Sequence, residues 1–436
     1  MNAVNIGLIG LGTVGAGTLE ILQRNSRDIA GRAGRDIRVT RIAVQDLNKK
    51  RPVDIGEIAV TTDPMQVVND PDIDIVVELI GGDTIAKEVV LGAIANGKHV
   101  VTANKALIAL HGNHIFEKAQ EQGLMVAFEA AVAGGIPIIK SLREGLSANR
   151  IQWVAGIING TCNYILTRME QDRLDFADVL LDAQSLGYAE ADPTFDIEGV
   201  DAAHKLTILA SIAFGIPLQY QNVFIEGITG ITIDDIRYAG ELGYRIKHLG
   251  IARRNPVGIE LRVHPALIPR ERLIANVNGV MNAALVMSDA VGPTLYYGPG
   301  AGAEPTGSAV VADIVDVVRA LTSDPNNRVP HLAFQPGALA TLPIMEIGQV
   351  ETAFYLRMSV INRPGVLAAI TRILGESNIS IATILQKGHD AEGGEVTIIM
   401  LTQVTPGISM SNAIDQIESL DPVTSKITAI RLENLA

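Results

Sequence analysis

Over the first 135 residues, short apolar runs alternate with stretches whose apolar positions recur at helical spacing. Residues 4–11 (VNIGLIGL) form an apolar run ending near glycines. Residues 13–25 (TVGAGTLEILQRN) follow with the period of an amphipathic helix. Further strands are expected over 37–44, 73–80, 99–105 and 124–130, with helices over 84–97 and 113–123. Strands alternating with helices predict an α/β domain built on a doubly wound parallel sheet, of the Rossmann type, over residues 1–135.

The pattern changes at 131–146 (AVAGGIPIIKSLREGL), which opens on small residues. Residues 136–322 hold strand-like segments at 263–268 and 276–288 and helical ones at 176–187 and 202–215. They read as a separate α+β domain with a mixed sheet. A glycine-rich loop at 296–308 leads into a helix over 309–321, and the pattern leaves open whether that helix packs back on the first domain. Residues 323–350 carry prolines and little periodicity, the mark of a linker. From 351 onward the pattern tightens. Leu356, Met358 and Val360 alternate with Arg357 and Ser359, a half-buried strand. A turn at 362–365, a helix at 366–377, strands at 379–388 and 394–404, a helix at 408–420 and a strand at 427–433 follow. The order βαββαβ predicts a ferredoxin-like domain over 351–436.

A chain of 436 residues exceeds one ordinary core, and 47% hydrophobic against 19% charged residues can fill several. The net charge of −13 lacks the basic stripe of a nucleic-acid binder. One cysteine, Cys162, excludes a disulfide within the chain and disfavours a cysteine-based zinc site. The first residues show no basic segment of a signal peptide, and no apolar run approaches the roughly 18 residues of a membrane span. A cytoplasmic protein without membrane or nucleic-acid partners is expected.

Gly10, Gly12 and Gly15 spell G-x-G-x-x-G between the first strand and the first helix. The spacing has a mechanical basis. The first glycine makes the tight turn, the second admits a pyrophosphate, and the third lets the helix pack on the strand. With Leu11, Thr13 and Val14, they place a helix N-terminus where phosphates are held. A glycine-rich turn without ligand is the plain alternative. The second strand ends at Gln45-Asp46, followed by Lys49, Lys50 and Arg51. Asp46 could hold a ribose hydroxyl, as in NAD binding, and the basic trio a 2′-phosphate. The trio tips the expectation slightly towards NADP, with NAD left open.

Residues 187–205 (GYAEADPTFDIEGVDAAHK) carry Glu190, Asp192, Asp196, Glu198 and Asp201 around Lys205. Asp201 and Lys205 are four apart and share a helix face, which by spacing alone is an ordinary surface ion pair. The wider pattern changes that. TANK at 102–105, FEAAVAGGIP at 128–137, NGTCNYILT at 159–167, the 187–205 stretch and GPGAGAEPTGSAV at 298–310 occur in this order. With the N-terminal fingerprint, they resemble homoserine dehydrogenase over residues 1 to about 320. The 351–436 unit, with NRPGVLAAI at 362–370, resembles an ACT domain, which longer homoserine dehydrogenases carry.

The resemblance implies interconversion of L-homoserine and L-aspartate 4-semialdehyde with a nicotinamide cofactor. It makes Lys205 the general acid and base and Lys105 a second lysine near nicotinamide and substrate, where it can stabilise a developing alkoxide. Glu190 and Asp201 match the carboxylates that meet the substrate's ammonium group, and Asp196 stands behind them. Asp192 and Glu198 read as solvated loop charges. Gly187 and Gly302 match positions close to the cofactor, with turn formation as the alternative. Glu129 and the carbonyls of Val132, Gly134 and Ile136 match a monovalent cation site, with sodium expected. The middle domain is also expected to dimerise, and the chain to form a homodimer or homotetramer. Asn362 and Gly365 match the ACT ligand loop, and L-threonine is the expected effector. Two other readings stand beside this one. Another Rossmann dehydrogenase of an amino-acid aldehyde would use Cys162 as a nucleophile, although that residue reads as packed. A non-catalytic amino-acid sensor would bind without turnover.

Overall fold

The computed structural model describes residues 3–387 and 394–435. The chain divides into two compact units. One comprises Met1–Gly160, Asp201–Val223 and Met281–Leu342, and the other Thr161–Val200, Phe224–Val280 and Pro343–Ala436.

The first unit is built on six parallel strands: β1 (Val4–Ile9), β2 (Ile37–Ala43), β3 (Ala59–Thr61), β4 (Ile75–Glu78), β5 (His99–Thr102) and β6 (Val126–Ala127). Their order is β3-β2-β1-β4-β5-β6. The order reverses between β1 and β4, and in such sheets ligands bind at the carboxyl ends beside that reversal. Ile75, Val76 and Val77 are fully buried, because helices cover both faces of a parallel sheet.

Four helices matter for the site: α1 (Thr13–Arg24), α2 (Lys105–Glu121), α3 (Val200–Phe214) and α4 (Ala303–Ala320). Two of them start earlier than the periodicity suggested. The strand expected to run to residue 105 ends at Thr102, and α2 opens at Lys105 rather than at 113. Asn104 is the reason. Its side-chain oxygen accepts the Leu107 amide at 3.0 Å, a helix cap inside what looked like a strand. Helix α4 opens at Ala303 rather than 309, after Gly302 at φ 127°.

Helix α4 packs on α1 through glycines. A Cβ at Gly17 would lie 2.2 Å from the Ala303 carbonyl oxygen, and one at Gly307 2.8 Å from the Thr18 amide. Val310, Ile314 and Val317 thereby join Leu8 and Leu19 in one core. Arg24 closes the contact with two hydrogen bonds to Glu304, at 2.9 and 3.1 Å. The helix that follows the glycine-rich loop thus returns to the nucleotide-binding sheet. The same unit holds an antiparallel run of Ile151–Ile157, Met281–Ser288 and Gly292–Pro299. Its first and last strands were not anticipated, and its middle strand begins at Met281 rather than 276.

In the second unit a long hairpin pairs Tyr244–Asn255 with Gly258–Pro269. The C-terminal module has the expected βαββαβ order: Glu351–Ile361, Val366–Glu376, Ile381–Lys387, Glu395–Thr402, Gly407–Glu418 and Thr428–Leu432. The strand expected over 379–388 ends at Lys387, and residue 388 lies outside the described residues. The module is joined to the hairpin by backbone pairing. Ala266 and Leu267 pair with Arg431 and Leu432 in parallel. Beside that seam Arg262, 1% exposed, donates from Nε and Nη2 to Glu260 Oε2 at 3.0 and 2.8 Å. It also donates to Glu433 from the end of the chain. A second buried link joins Arg357 and Tyr355 of the module to Asp235, at 2.6 and 3.1 Å.

Candidate active site

The glycine fingerprint has the geometry its spacing requires. Gly10 has φ +99°, a left-handed backbone that a side chain would strain, and its amide bonds the Ala43 carbonyl at 2.9 Å. A Cβ at Gly15 would fall 2.1 Å from the Gly10 carbonyl oxygen, so helix and strand touch there. A Cβ at Gly12 would meet nothing within 4 Å. Gly12 is therefore not needed for packing within the protein, and the open space beside it fits a pyrophosphate. Gly12 is also the N-cap of α1 and provides no side-chain cap, so the amides of the first turn, at Thr13, Val14 and Gly15, are left for a ligand. The donor set fits a dinucleotide.

Beyond β2, Arg51 is tied to its own loop. It donates to the carbonyl of Asp46, and Nη1 donates to the carbonyl of Lys49 at 2.9 Å. Asp46 accepts the Asn48 amide at 2.8 Å, and Lys49 and Lys50 are exposed. Of the basic trio, the two lysines face solvent while the arginine shapes the turn.

The lysines and the aspartate meet in the first unit. Asp201 and Lys205 lie one turn apart on α3, and Lys105 is the first residue of α2. Asp201 is 2% exposed. Its Oδ1 faces Lys105 Nζ at 2.8 Å, and its Oδ2 accepts from Lys205 Nζ at 2.7 Å and Asn159 Nδ2 at 2.9 Å. Lys205 Nζ also donates to the Ile158 carbonyl at 2.7 Å. Burial alone would raise the carboxyl pKa, but the two ammoniums and their hydrogen bonds override it and hold Asp201 well below the usual carboxylate range. The result is a fixed anion with two fixed ammoniums, one nearly buried and one a third exposed. An oxygen developing negative charge beside them would find both a proton donor and a cation.

Asn159 and the Ile158 carbonyl were not singled out from the sequence for this role. Their only signal was position, at the start of the NGTCNYILT stretch. His204, next to Lys205, turns to another face and packs on Tyr220, with ring centroids 4.4 Å apart. Burial, foremost, lowers its pKa to about 4.

In the second unit, Glu190 is exposed on the loop after helix Phe176–Ser185, where Gln184 Nε2 holds its carbonyl at 3.1 Å. Gly187 is exposed on the same loop with φ +74°. Asp196 is half-buried and accepts from Thr161 Oγ1 at 3.3 Å. Cys162 is fully buried, and its Sγ donates to the Asp196 carbonyl at 3.2 Å. A packed thiol of this kind is poorly placed as a nucleophile.

The 128–137 loop is mostly buried, with Gly135 and Pro137 exposed, and sharply turned, with φ +55° at both Ala133 and Gly134. The Glu129 carboxylate accepts the Ile139 and Lys140 amides, each at 2.8 Å. Burial, its largest influence, raises its pKa to about 7. Val132, Gly134 and Ile136 are all buried, and the Ile136 carbonyl accepts the Ile138 amide at 2.8 Å. Among the described residues no group of three or more His, Cys, Asp or Glu side chains is arranged to hold a metal. An ion here would rest chiefly on backbone carbonyls.

A cavity of about 710 Å³ lies elsewhere in the first unit, between the C-terminal half of α2 and residues 325–339. It does not contain the lysines. In the C-terminal module, Asn362, Arg363, Pro364, Gly365 and Leu367 line a depression of about 490 Å³. Gly365, φ +91°, caps helix Val366–Glu376 there.

Comparison with known proteins decides what this arrangement belongs to. The model of the homoserine dehydrogenase family matches residues 137–315. The model described as the NAD-binding domain of homoserine dehydrogenase matches 10–129. A homoserine dehydrogenase of Pseudomonas aeruginosa is 60% identical over the full length of both chains. The chain belongs to the homoserine dehydrogenase family. It is an oxidoreductase with a nicotinamide-binding Rossmann domain, a catalytic domain and, matched over 354–421, an ACT domain. A homoserine dehydrogenase of Neisseria gonorrhoeae is 53% identical, again over the full length of both chains. A crystal structure of the homoserine dehydrogenase from Thiobacillus denitrificans is 62% identical, with a TM-score of 0.96, covering 100% of this chain and 99% of that one. An archaeal homoserine dehydrogenase mutant solved in complex with NADPH is 28% identical, with a TM-score of 0.64, covering 75% of this chain and all of that one. No described helix is long and apolar enough to cross a membrane.

Proposed function

We propose that Lys205 is the general acid and base of homoserine dehydrogenation and that Lys105 stabilises the developing alkoxide. The observation that carries this reading is the Lys105–Asp201–Lys205 triad, two ammoniums on one buried carboxylate. When bound, the nicotinamide cofactor supplies or takes the hydride. The chain's own residues manage the oxygen. In reduction of L-aspartate 4-semialdehyde, Lys205 gives a proton to the oxygen as hydride reaches carbon, and in oxidation of L-homoserine it takes that proton back. Asp201 holds both ammoniums in place. Its oxygens are already engaged, so among Glu190, Asp196 and Asp201 it is the exposed Glu190 that we assign to the substrate's ammonium group, with Asp196 supporting it.

Gly10, Leu11, Gly12, Thr13, Val14 and Gly15 cradle the pyrophosphate, and Gly187 and Gly302 are assigned positions near the cofactor. Exposed Lys49 and Lys50 favour NADP over NAD. A sodium ion on Glu129, Val132, Gly134 and Ile136 is supported by the buried left-handed turn. We assign nucleotide binding to residues 1–135, substrate binding and dimerisation to 136–322, and regulation to 351–436 after a linker, in a cytoplasmic homodimer or homotetramer.

The test is a spectrophotometric assay with homoserine and each of NAD and NADP, on the intact chain and on Lys205→Ala. Turnover lost with cofactor affinity kept supports the assignment. A variant with near wild-type kcat removes Lys205 from it.

For the ACT depression we propose L-threonine, its carboxylate on the amides at Gly365 and its polar side chain towards Asn362. Truncation near residue 345 is not a clean control, because it would strip Thr428–Leu432 from its pairing strand and Glu433 from Arg262. Threonine titration of intact Asn362→Ala against wild type is preferable. Equal insensitivity of both would remove the regulatory reading.

A further inference from the structure

We propose that Glu78 is a positioning residue for Lys105, acting through Thr102 and Asn104. Glu78 is the last residue of β4 and is fully buried. It stands in register with Thr102, the last residue of β5. Its Oε2 accepts the Thr102 hydroxyl at 2.6 Å, and its Oε1 accepts the amides of Ile80 and Gly81 at 2.9 and 3.3 Å. The Thr102 hydroxyl oxygen in turn accepts the Asn104 amide at 3.0 Å. Asn104 caps α2 through Leu107, and its Nδ2 donates to the Gly82 carbonyl at 2.5 Å. One carboxylate therefore ties together two loops at the carboxyl edge of the sheet, and the second loop begins the helix whose first residue is Lys105.

The physical case rests on cost and reach. A carboxylate taken fully out of water is expensive, and a leucine would fill the same space without that cost. Burial raises the Glu78 pKa, and hydrogen bonds from the Thr102 hydroxyl, the Ile80 and Gly81 amides and the Asn104 side chain act against that rise. Leucine would leave the Thr102 hydroxyl and two loop amides without an acceptor in a buried place. Those contacts explain why a carboxyl group stands there and not an apolar side chain. Lys105, meanwhile, is a third exposed along its side chain. It is also the first residue of α2, so the point from which its side chain reaches Asp201 is set by where the first turn of α2 begins. The Asn104 cap sets that start, and Glu78 and Thr102 hold the cap.

The inference rests on the proposed role of Lys105, and a double-mutant cycle separates the two. Glu78→Gln keeps volume but turns an amide donor towards groups that themselves donate to this position. It is expected to lower kcat roughly 10–100-fold, the scale of loss from about 1 Å of misplacement, with cofactor KM changed less than about threefold. In a Lys105→Ala background the same substitution should cost less than about twofold, because the group it positions is gone. Thr102→Ser, which keeps the hydroxyl, should retain kcat, and Thr102→Val should follow Glu78→Gln. Melting temperatures report folding, and if Glu78→Gln does not fold, the Thr102 pair carries the same test. Equal losses in both backgrounds, or equal kcat for Thr102→Ser and Thr102→Val, would overturn the positioning role. Wild-type kcat in Lys105→Ala alone would instead overturn the role of Lys105, and this inference with it.

Discussion

Asp201→Asn tests the centre of the site most directly. The substitution preserves shape and removes one charge. In the native protein both carboxylate oxygens carry an ammonium, at 2.8 and 2.7 Å. An asparagine retains one acceptor oxygen and turns an amide donor towards the other lysine. Removing one partner of a buried ion pair costs about 3–5 kcal/mol. Lys105 is a third exposed, so solvent takes up part of its loss, and about 2–4 kcal/mol is expected. For a unit of this size that corresponds to a fall in Tm of about 5–15 °C. The cost should appear as repulsion between ammoniums. Asp201→Asn combined with Lys205→Met should therefore melt higher than Asp201→Asn alone. Thermal unfolding followed by circular dichroism measures all three proteins, and steady-state assays should show kcat reduced by at least about 100-fold in each variant. A double variant no more stable than the single one would refute the electrostatic account. The pH dependence has a definite sign. The folded pKa lies below the unfolded value of about 3.9, so the stabilisation from Asp201 is complete above pH 4 and is lost as pH falls through the folded value.

Gly12→Ala should fold with unchanged Tm yet bind NADP at least about tenfold more weakly by fluorescence titration, because its Cβ meets only open space in the protein. Gly15→Ala should lower Tm instead, since its Cβ would strike the Gly10 carbonyl. Glu433→Ala should cost about 1.5–3 kcal/mol in thermal or denaturant unfolding by removing one of the two carboxylates that pair with buried Arg262, while Glu260 keeps the other pairing. Burial holds His99, His204 and His331 at about pH 4 and His264 well below its ordinary value. Each lies below the unfolded value near 6.5, so the stability they confer is present above pH 6.5 and lost as pH falls towards 4. Tm should drop across that window, and His331→Gln should flatten the drop if the fold is kept.

The amino-acid sequence determined a good deal by itself, wherever a property is local. The G-x-G-x-x-G spacing specified a tight turn, an open approach and a close contact, and Gly10, Gly12 and Gly15 provide one each. Four-residue spacing placed Asp201 and Lys205 on one helix face, because helical periodicity needs no tertiary information. The alternation at 356–360 and the order of elements after it announced the C-terminal module for the same reason. Helix starts were less legible. Asn104 caps α2 from within the strand-like run at 99–105, and Gly302 caps α4 from within a glycine-rich loop, so both helices begin earlier than the periodicity indicates.

What tertiary structure decided was partnership between distant residues. Lys105 and Asp201 are 2.8 Å apart, yet nothing in the hydrophobic pattern links the TANK segment to the acidic stretch. Asn159, Glu78 and the pairing of residues 431–432 with 266–267 were equally silent, because a hydrogen bond across the fold leaves no period in the chain. The sequence alone could make the 187–205 pair an ordinary surface ion pair. Burial and a second lysine from another helix made it the centre of the proposed active site, since only the folded chain brings Lys105 to the buried carboxylate that Lys205 already meets.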